Sequence, residues 1–244
     1  MPVRAVVADP ESLLGMRLAD VGTPAPGRRQ VVIEAQHVSL NRGDLNDARS
    51  GRVPPGAVLG SDVAGIVVRA AAGGDGPPVG ARVVALTGGA FAKRVAVDLD
   101  AVVEVPDGVD LAEAAALPVA GVAAMQALRA GSLEIPVKGA RVLVTGASGG
   151  VGRFAVQLAA YGGAQVIAVV GHAARADELV ELGAEQVITD LAEVDEPVDL
   201  VLDSVGGRQL VAAWDLLAPG GSVQCIGWSS GEPATFAPYA TVGP

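Results

Sequence analysis

The apolar and polar positions of this chain follow two different rhythms, which change at about residue 116. In the first part, short apolar runs are separated by turn signals rich in Gly and Pro, which is typical of β-strands. The strands predicted there are Arg4–Ala8, Gln30–Ser39, Ala81–Leu86 and Ala92–Val97. The first part is therefore predicted to be an all-β module rich in turns.

In the second part, continuously apolar strands alternate with helical patterns. Within the predicted helix Val151–Tyr161, apolar residues recur at positions i, i+3, i+4 and i+7 of one face. The predicted strands are Arg141–Thr145, Gln165–Val170, Gln186–Thr189, Asp199–Leu202 and Ser222–Ile226. This alternation predicts a parallel sheet with helices on both faces. A helical stretch over Ala112–Arg129 leads into it and is expected to be broken at Pro118 and Gly121.

Length and composition fit a division into two domains, 1–115 and 116–244. The 244 residues are 50% hydrophobic and 18% charged, which is enough apolar material for a sizeable core. Aromatic residues make up only 3% of the chain. We therefore expect Ala, Val, Leu and Gly to fill the core in closely packed layers.

Charge and hydropathy along the chain argue against a nucleic-acid partner and against a membrane-spanning segment. The net charge is −10 and no stretch concentrates Lys or Arg, so we expect no nucleic-acid surface. The N-terminus lacks a signal-peptide hydrophobic region, and the longest uncharged run, Ala114–Leu128, is too short to cross a membrane. We therefore expect a soluble cytoplasmic protein.

The single cysteine, Cys225, excludes an internal disulfide and is predicted to be buried because it lies in an apolar run.

A glycine-rich segment, TGASGGVG at residues 145–152, lies between a predicted strand and a predicted helix. It fits the T-G-x-x-x-G-x-G loop of short-chain dehydrogenases and also the G-x-x-G-x-x-G loop of zinc-free medium-chain reductases. In both, glycine allows a tight turn, and N–H groups at the helix N-terminus face a dinucleotide pyrophosphate. The residues predicted to bind the cofactor here are Gly146, Ser148, Gly149, Gly150, Val151 and Gly152.

The end of the following strand indicates which cofactor binds. An NAD site usually places an acidic residue there for the ribose 2′-hydroxyl, and this chain has Gly171 and His172 instead. Gly171 leaves room, His172 adds a contact, and the guanidinium of Arg175 is suited to a 2′-phosphate. NADPH is therefore predicted. The alternative is that Arg175 and His172 are solvated surface residues and that Asp177 and Glu178 neutralise the arginine.

The position of the glycine loop decides between the two families. A short-chain dehydrogenase carries this loop near its N-terminus and needs a Tyr-x-x-x-Lys pair for proton transfer. Here about 140 residues precede the loop, and Tyr161 and Tyr239 are followed four positions later by Gln165 and Gly243. The short-chain interpretation is therefore rejected.

Several segments instead resemble zinc-free medium-chain reductases of the quinone oxidoreductase type, over essentially the whole chain. These segments are residues 38–45 (VSLNRGDL), 58–65 (VLGSDVAG), 114–118 (AAALP), 202–207 (LDSVGG) and 217–221 (LAPGG). The resemblance implies an α/β protein with a GroES-like β-rich domain followed by a Rossmann-type domain with a doubly wound parallel sheet. Zinc-dependent relatives have Cys where Ser39 or Leu40 stands and a His-Glu pair at Ser61–Asp62, so no metal is expected.

The resemblance also assigns roles to individual residues. Asn41 is expected to position the nicotinamide–ribose end of the cofactor, and a turn-forming role for this residue is the alternative. Val205 and Gly206 are expected beside the adenosine or its ribose. The nicotinamide side is expected to be lined by Gly227, Trp228 and Ser229, although a packing role for Trp228 stays open.

The chain departs from the family pattern in three places. Residues 121–125 (GVAAM) lack the Thr and Tyr that relatives often carry, and Asp190 replaces a tyrosine on the adenosine side. No residue stands out as a proton donor. The resemblance ends soon after the fifth Rossmann strand, where relatives continue with a sixth strand used for dimer pairing, so the Rossmann domain is expected to lack its C-terminal completion. Whether a homodimer forms is left open.

Without a metal, the expected chemistry is hydride transfer from NADPH to a quinone or an α,β-unsaturated carbonyl compound, with a small molecule as substrate. Two alternatives stay open. One is an enoyl reductase of a biosynthetic pathway of the polyketide type. The other is a weakly catalytic NADPH-binding protein that acts as a sensor or scaffold.

Overall fold

The computed structural model describes residues 2–132, 137–176, 178–238 and 240. The chain divides into two compact units, Met1–Val119 and Ala120–Pro244, and each unit is described by itself.

The first unit is built on antiparallel strands. Its strands and helices are β1 (Val3–Ala8), β2 (Met16–Val21), β3 (Gln30–Ser39), α1 (Arg42–Ser50), β4 (Asp62–Arg69), β5 (Arg82–Leu86), β6 (Arg94–Asp98), β7 (Val102–Glu104) and α2 (Leu111–Ala115). A five-stranded sheet has the strand order β6-β3-β4-β5-β7, and β1 and β2 form a separate antiparallel pair.

The longest strand, β3, lies second in this sheet and pairs with both β4 and β6. Its side chains Val31 and Ile33 are fully buried and pack with Val63 and Val67 of β4. The pairing of β3 with β4 shifts register between Ala35 and His37. This β-bulge bends the strand and changes the direction of its last residues, which lead into α1.

The second unit is built on a five-stranded parallel sheet. α3 (Pro118–Gly131) spans the division between the units. The elements that follow are β8 (Arg141–Thr145), α4 (Gly150–Tyr161), β9 (Gln165–Val169), β10 (Gln186–Ile188), β11 (Val198–Asp203), α5 (Gly207–Trp214) and β12 (Leu217–Cys225). The strand order in the sheet is β10-β9-β8-β11-β12.

Both faces of this sheet are covered. Val142, Leu143 and Val144 are consecutive residues of β8, and each is at most 1% exposed. Val142 and Val144 belong to one apolar cluster with α4, whereas Leu143 belongs to a second cluster with α5. Since successive side chains of a strand point to opposite faces, this is the arrangement that a continuously apolar strand requires.

Three expectations from the sequence are wrong in detail. The first unit is not all-β, because it contains α1 and α2. The helical stretch is broken only before Pro118, which is the first residue of α3, where proline is tolerated, and α3 continues through Gly121. Cys225 is exposed and not buried, because β12 is an edge strand in the described part of the sheet.

The described residues contain no helix that is long and apolar enough to cross a membrane.

We predict that Gly65→Ala strongly destabilises the first unit. A Cβ atom at Gly65 would lie 2.1 Å from the carbonyl oxygen of Glu34, because β3 and β4 approach closely beside the bulge. Thermal unfolding should show a lowered Tm, corresponding to a loss of about 1–3 kcal/mol.

The matched control is Gly43→Ala. Gly43 lies inside α1, and a Cβ atom there would meet nothing within 4 Å. This variant should keep or slightly raise the Tm, because alanine favours the helix by about 1 kcal/mol. Equal Tm values for the two variants would contradict the close approach at Gly65.

Candidate functional site

The glycine-rich segment forms a tight turn at the carboxyl ends of β8 and β9. Gly146 has φ of 61°, a left-handed conformation that favours glycine. The Ala147 N–H donates to the Val169 carbonyl (3.1 Å), and the Gly149 N–H donates back to the Gly146 carbonyl (2.9 Å). These bonds fix the turn to the end of β9.

The helix α4 starts directly on this turn. A Cβ atom at Gly152 would lie 2.4 Å from the Gly146 carbonyl oxygen and 2.6 Å from the Cα of Ala147, so only glycine allows this packing. Within the described residues, no backbone carbonyl or side chain accepts from the N–H groups of Gly150, Val151 and Gly152. They are the donors that a helix N-terminus offers to an anion.

A buried polar pair joins the carboxyl ends of β8 and β11. Thr145 and Asp203 are both 0% exposed. The Thr145 hydroxyl donates to Asp203 Oδ1 (2.5 Å) and accepts from the Ser204 N–H (3.2 Å), while the Gly206 N–H donates to Asp203 Oδ2 (2.8 Å). The carboxylate therefore fixes the loop that follows β11 against the glycine turn of β8.

The loop after β12 lies over the loop after β11. The N–H groups of Ser229 and Ser230 donate to the carbonyls of Ser204 (3.2 Å) and Val205 (2.9 Å). The indole of Trp228 donates to the Glu232 carbonyl. The structure thus brings together the predicted residues Val205, Gly206, Gly227, Trp228 and Ser229 at this end of the sheet, next to the glycine turn.

The indole ring of Trp228 leaves no room for a side chain at position 206. A Cβ atom on Gly206 would lie 2.6 Å from the indole ring, and Gly206 has φ of 71°. The indole is packed against the Gly206 backbone and is still 47% exposed. It therefore has both the packing role and a free surface at the carboxyl ends of the strands.

The residues predicted to select the cofactor lie on the exposed turn after β9. Gly171 has no neighbour within 4 Å of an added Cβ, which agrees with the room expected there. His172 precedes a short 3-10 turn, Ala173–Arg175, and the Arg175 N–H donates to the His172 carbonyl (2.9 Å). No ion pair or hydrogen bond joins the Arg175 side chain to the described residues. Asp177 lies outside them.

Asp190 has a structural role on the neighbouring turn. Its carboxylate accepts from the Ala192 N–H (3.0 Å), and Glu193 accepts from the Asp190 N–H (3.1 Å), which forms a reciprocal cap. The carboxylate that replaces a tyrosine is thus directed at the backbone.

The first unit contains a second buried polar network, centred on Asp62, which is 0% exposed. Its carboxylate accepts from the Ser39 hydroxyl, from Asn41 Nδ2 (2.8 Å) and from the N–H of Val119 near the start of α3 (2.9 Å). Asp44, also buried, accepts from the Asn41 N–H (2.9 Å) and from the Ser61 hydroxyl (2.7 Å). No direct signal in the sequence indicates this convergence, because it depends on strand pairing.

Asn41 is the N-cap of α1, where it forms a capping box with Asp44. Its side-chain N–H₂ group is bound to Asp62, so the turn-forming alternative describes its contacts within the first unit. The predicted contact of Asn41 with a cofactor stays a prediction. The described residues contain no group of three or more His, Cys, Asp or Glu side chains that could hold a metal ion.

We predict that Asp62→Asn lowers the free energy of unfolding by about 2–4 kcal/mol. An asparagine keeps one acceptor but directs an N–H₂ group at donors that now bind a carboxylate, and hydrogen bonds to charged groups each contribute about 1.5–3 kcal/mol. The loss should appear in urea unfolding curves. Asp100→Asn, at an ion pair whose carboxylate is 86% exposed, should change stability by less than about 1 kcal/mol, and an equal loss would contradict the special role of Asp62.

We also predict that Asp203 influences the reactivity of Cys225, its register partner across β11 and β12. Partial burial and the negative charge of Asp203 raise the pKa of the Cys225 thiol. Thiolate formation therefore needs a higher pH than for a free cysteine. In Asp203→Asn, alkylation by iodoacetamide should reach its half-maximal rate at a lower pH, although burial, the larger cause, still keeps the pKa of the thiol raised.

Mass spectrometry of the alkylated chain measures this rate over a pH series. The exposed Asp195→Asn is the matched control and should leave the profile unchanged. An unchanged or upward-shifted midpoint in Asp203→Asn would show that the Asp203 charge does not act on the thiol.

Two family models match the chain, one in each part. Residues 27–107 match an alcohol dehydrogenase GroES-like domain, and residues 150–242 match a domain described as zinc-binding dehydrogenase. The first region contains all the side chains of the Asp62 network, and the second begins inside the glycine turn.

Curated relatives extend the similarity. The chain is 37% identical over 209 residues to the chloroplast envelope quinone oxidoreductase homolog of Arabidopsis thaliana, with 80% of this chain and 61% of that protein covered. It is 33% identical over 232 residues to the chloroplastic quinone-oxidoreductase homolog of Spinacia oleracea (89% and 67%). It is 34% identical over 223 residues to the mycocerosic acid synthase-like polyketide synthase of Mycobacterium tuberculosis (84% and 10%). The chain thus spans less than two thirds of the first of these proteins.

Solved structures agree with the fold. The quinone oxidoreductase of Coxiella burnetii is similar with a TM-score of 0.84 at 27% identity, covering 91% of this chain and 75% of that one. Mycobacterial Rv1454c complexed with NADPH is similar with a TM-score of 0.85 at 28% identity, covering 98% and 77%. Together with the two domain matches and the β-rich and parallel-sheet units, these similarities show that the chain belongs to the quinone oxidoreductase-like family of medium-chain dehydrogenases/reductases.

Proposed function

We propose that the chain is part of an NADPH-dependent reductase that transfers hydride to a quinone or an α,β-unsaturated carbonyl compound without zinc. The observation that carries this proposal is the turn between β8 and α4. There, Gly152 lets the helix approach the turn to a distance that any Cβ atom would prevent. The helix thereby presents the N–H groups of Gly150, Val151 and Gly152 at the carboxyl edge of the sheet.

The residues of the second unit fit a dinucleotide. The free N–H groups of α4 and the positive end of its dipole suit a pyrophosphate, and the Ser148 hydroxyl lies in the same turn. The turn after β9 offers Gly171 in place of an acidic residue and Arg175 without an ion pair to the described residues. This charge arrangement favours NADPH over NADH. A relative of known structure has been solved in complex with NADPH, which supports the same preference.

When bound, NADPH would supply the hydride. The chain's own contribution is to hold and orient: α4 binds the phosphates, and the loop of Val205 and Gly206 is held in place by Asp203. The exposed face of Trp228 and the neighbouring Ser229 line the proposed nicotinamide end. Asn41 is proposed as a positioning residue in the first unit, held by Asp62. We assign no side chain as proton donor.

The proposal of a zinc-free reaction rests on the donors at the positions where zinc-dependent relatives have their ligands. Ser39 offers a neutral hydroxyl, and it donates to the carboxylate of Asp62. That carboxylate is fully buried and already accepts from three groups. Catalytic zinc requires about three protein ligands, usually including His or Cys, and this donor set does not fit it.

A second candidate function is an enoyl reductase acting on a thioester. The similarity to a polyketide synthase over 84% of this chain favours it. Both functions use the same cofactor and deliver hydride to a conjugated carbonyl, so they differ only in the acceptor. NADPH consumption with para-benzoquinone, butenone and crotonyl-CoA separates them.

We predict that Gly152→Ala weakens NADPH binding by about tenfold or more, because the added methyl group forces α4 away from the turn. Titration of NADPH fluorescence measures this, with Gly43→Ala as the matched control that should bind as the original chain does.

Turnover of a quinone or enone with NADPH supports the proposal. Tighter binding of NADH than of NADPH, or binding of neither, would overturn it, and binding without turnover of any acceptor would favour the sensor or scaffold role.

A further inference from the structure

Arg153 lies in the first turn of α4, beside the glycine turn, and its position is electrostatically unusual. The N-terminal end of a helix carries partial positive charge, so a cation there is unfavourable by about 0.3–1 kcal/mol. The first turn of α4 contains no acidic residue. Arg153 thus adds its charge to the helix end that already attracts an anion.

The partner of Arg153 comes from the segment after β9. Glu178 forms an ion pair with the guanidinium of Arg153 through one nitrogen, Nη2. No other described group accepts from the Arg153 side chain, which is 37% exposed, so donors of its guanidinium remain available. Glu178 is three residues beyond Arg175 and follows the turn predicted to hold the 2′-phosphate. The ion pair therefore connects α4 to the cofactor-selecting turn.

The backbone of Glu178 has an unfavourable conformation. It has φ of 73° and is the only residue other than glycine with a positive φ in the described part of the chain. A left-handed conformation costs a residue with a Cβ about 1 kcal/mol. The next residue, Leu179, is fully buried in the apolar cluster that includes α4, and this anchors the segment.

We infer that Arg153 is a second specificity-determining residue for the 2′-phosphate of NADPH, and that Glu178 is the competing anion which limits this preference; the inference rests on the proposed function. A 2′-phosphate carries up to two negative charges, whereas Glu178 carries one. Arg175 lies in the turn three residues before Glu178, so the segment that supplies the partner of Arg153 also carries the arginine already proposed to bind the 2′-phosphate. The fork-shaped guanidinium group suits the oxygens of a phosphate. The 2′-phosphate therefore replaces the carboxylate of Glu178 as the partner of Arg153.

Two opposite charge changes test this inference. Arg153→Gln removes the cation and should weaken NADPH binding about tenfold while leaving NADH binding within about twofold, since hydrogen bonds to charged groups are strong. Glu178→Gln removes the competitor and keeps the side-chain shape. It should tighten NADPH binding by up to about fivefold, as expected for a half-exposed ion pair.

The measurement is fluorescence titration of both cofactors at one fixed salt concentration, with a Tm for each variant. Binding of 2′,5′-ADP compared with 5′-AMP, measured by calorimetry, isolates the 2′-phosphate from the nicotinamide. Arg94→Gln, at an ion pair with Glu34 in the first unit, is the matched control and should change nothing.

The outcomes separate the two proposals. Loss of the NADPH preference in Arg175→Gln but not in Arg153→Gln would overturn the role of Arg153 and leave the proposed function intact. Weaker NADPH binding in Glu178→Gln would show that Glu178 supports the site and does not compete with it. Binding of neither cofactor to the original chain would overturn both the proposed function and this inference.

Discussion

The second unit depends on one buried hydrogen bond, that between the Thr145 hydroxyl and the Asp203 carboxylate. A buried carboxylate is costly unless donors surround it. Asp203 accepts from the last residue of β8 and from the loop that follows β11, and it therefore fixes where β8 and β11 end relative to each other. The glycine turn and the Gly206 loop both start from these ends. The backbone groups that we propose bind the cofactor belong to this turn and this loop. Their positions therefore depend on the hydrogen bond between Thr145 and Asp203.

The first unit also contains a buried aspartate that accepts hydrogen bonds from several segments. Asp62 stands at the start of β4 and collects donors from the end of β3, from the turn before α1 and from the start of α3. In both units, a buried aspartate at a strand end organises the loops around it. A neutral residue of the same shape would leave donors without partners, so the charge itself is part of the architecture.

The local parts of this structure could be predicted from the sequence. The bounds of β3 and β8 follow from apolar pattern alone, and the glycine turn follows from its position between a strand and a helix. Family membership could be recognised from short segments that extend along the chain. The helix α1 is not predicted because its composition is polar, although Asn41 followed by Asp44 is a capping signal that could have indicated it.

Features that depend on tertiary pairing could not be predicted. Asp62 and Asn41 are 21 residues apart in sequence, and only the pairing of β3 with β4 places them in contact. The exposure of Cys225 follows from the place of β12 in the strand order, and an apolar run does not reveal that place. The ion pair of Arg153 with Glu178 joins a helix to a distant turn, whereas the sequence pattern suggests a different arginine as the neighbour of this acid.

The packing of Trp228 on Gly206 has a consequence for how this family diverges. The indole ring occupies the volume that any side chain at position 206 would need, so position 206 cannot change while Trp228 is present. A homologue with a smaller residue at the position of Trp228 is released from this steric constraint, although the left-handed backbone still favours glycine. The position of Trp228 should therefore vary among homologues, whereas position 206 should remain glycine even where the large ring is lost.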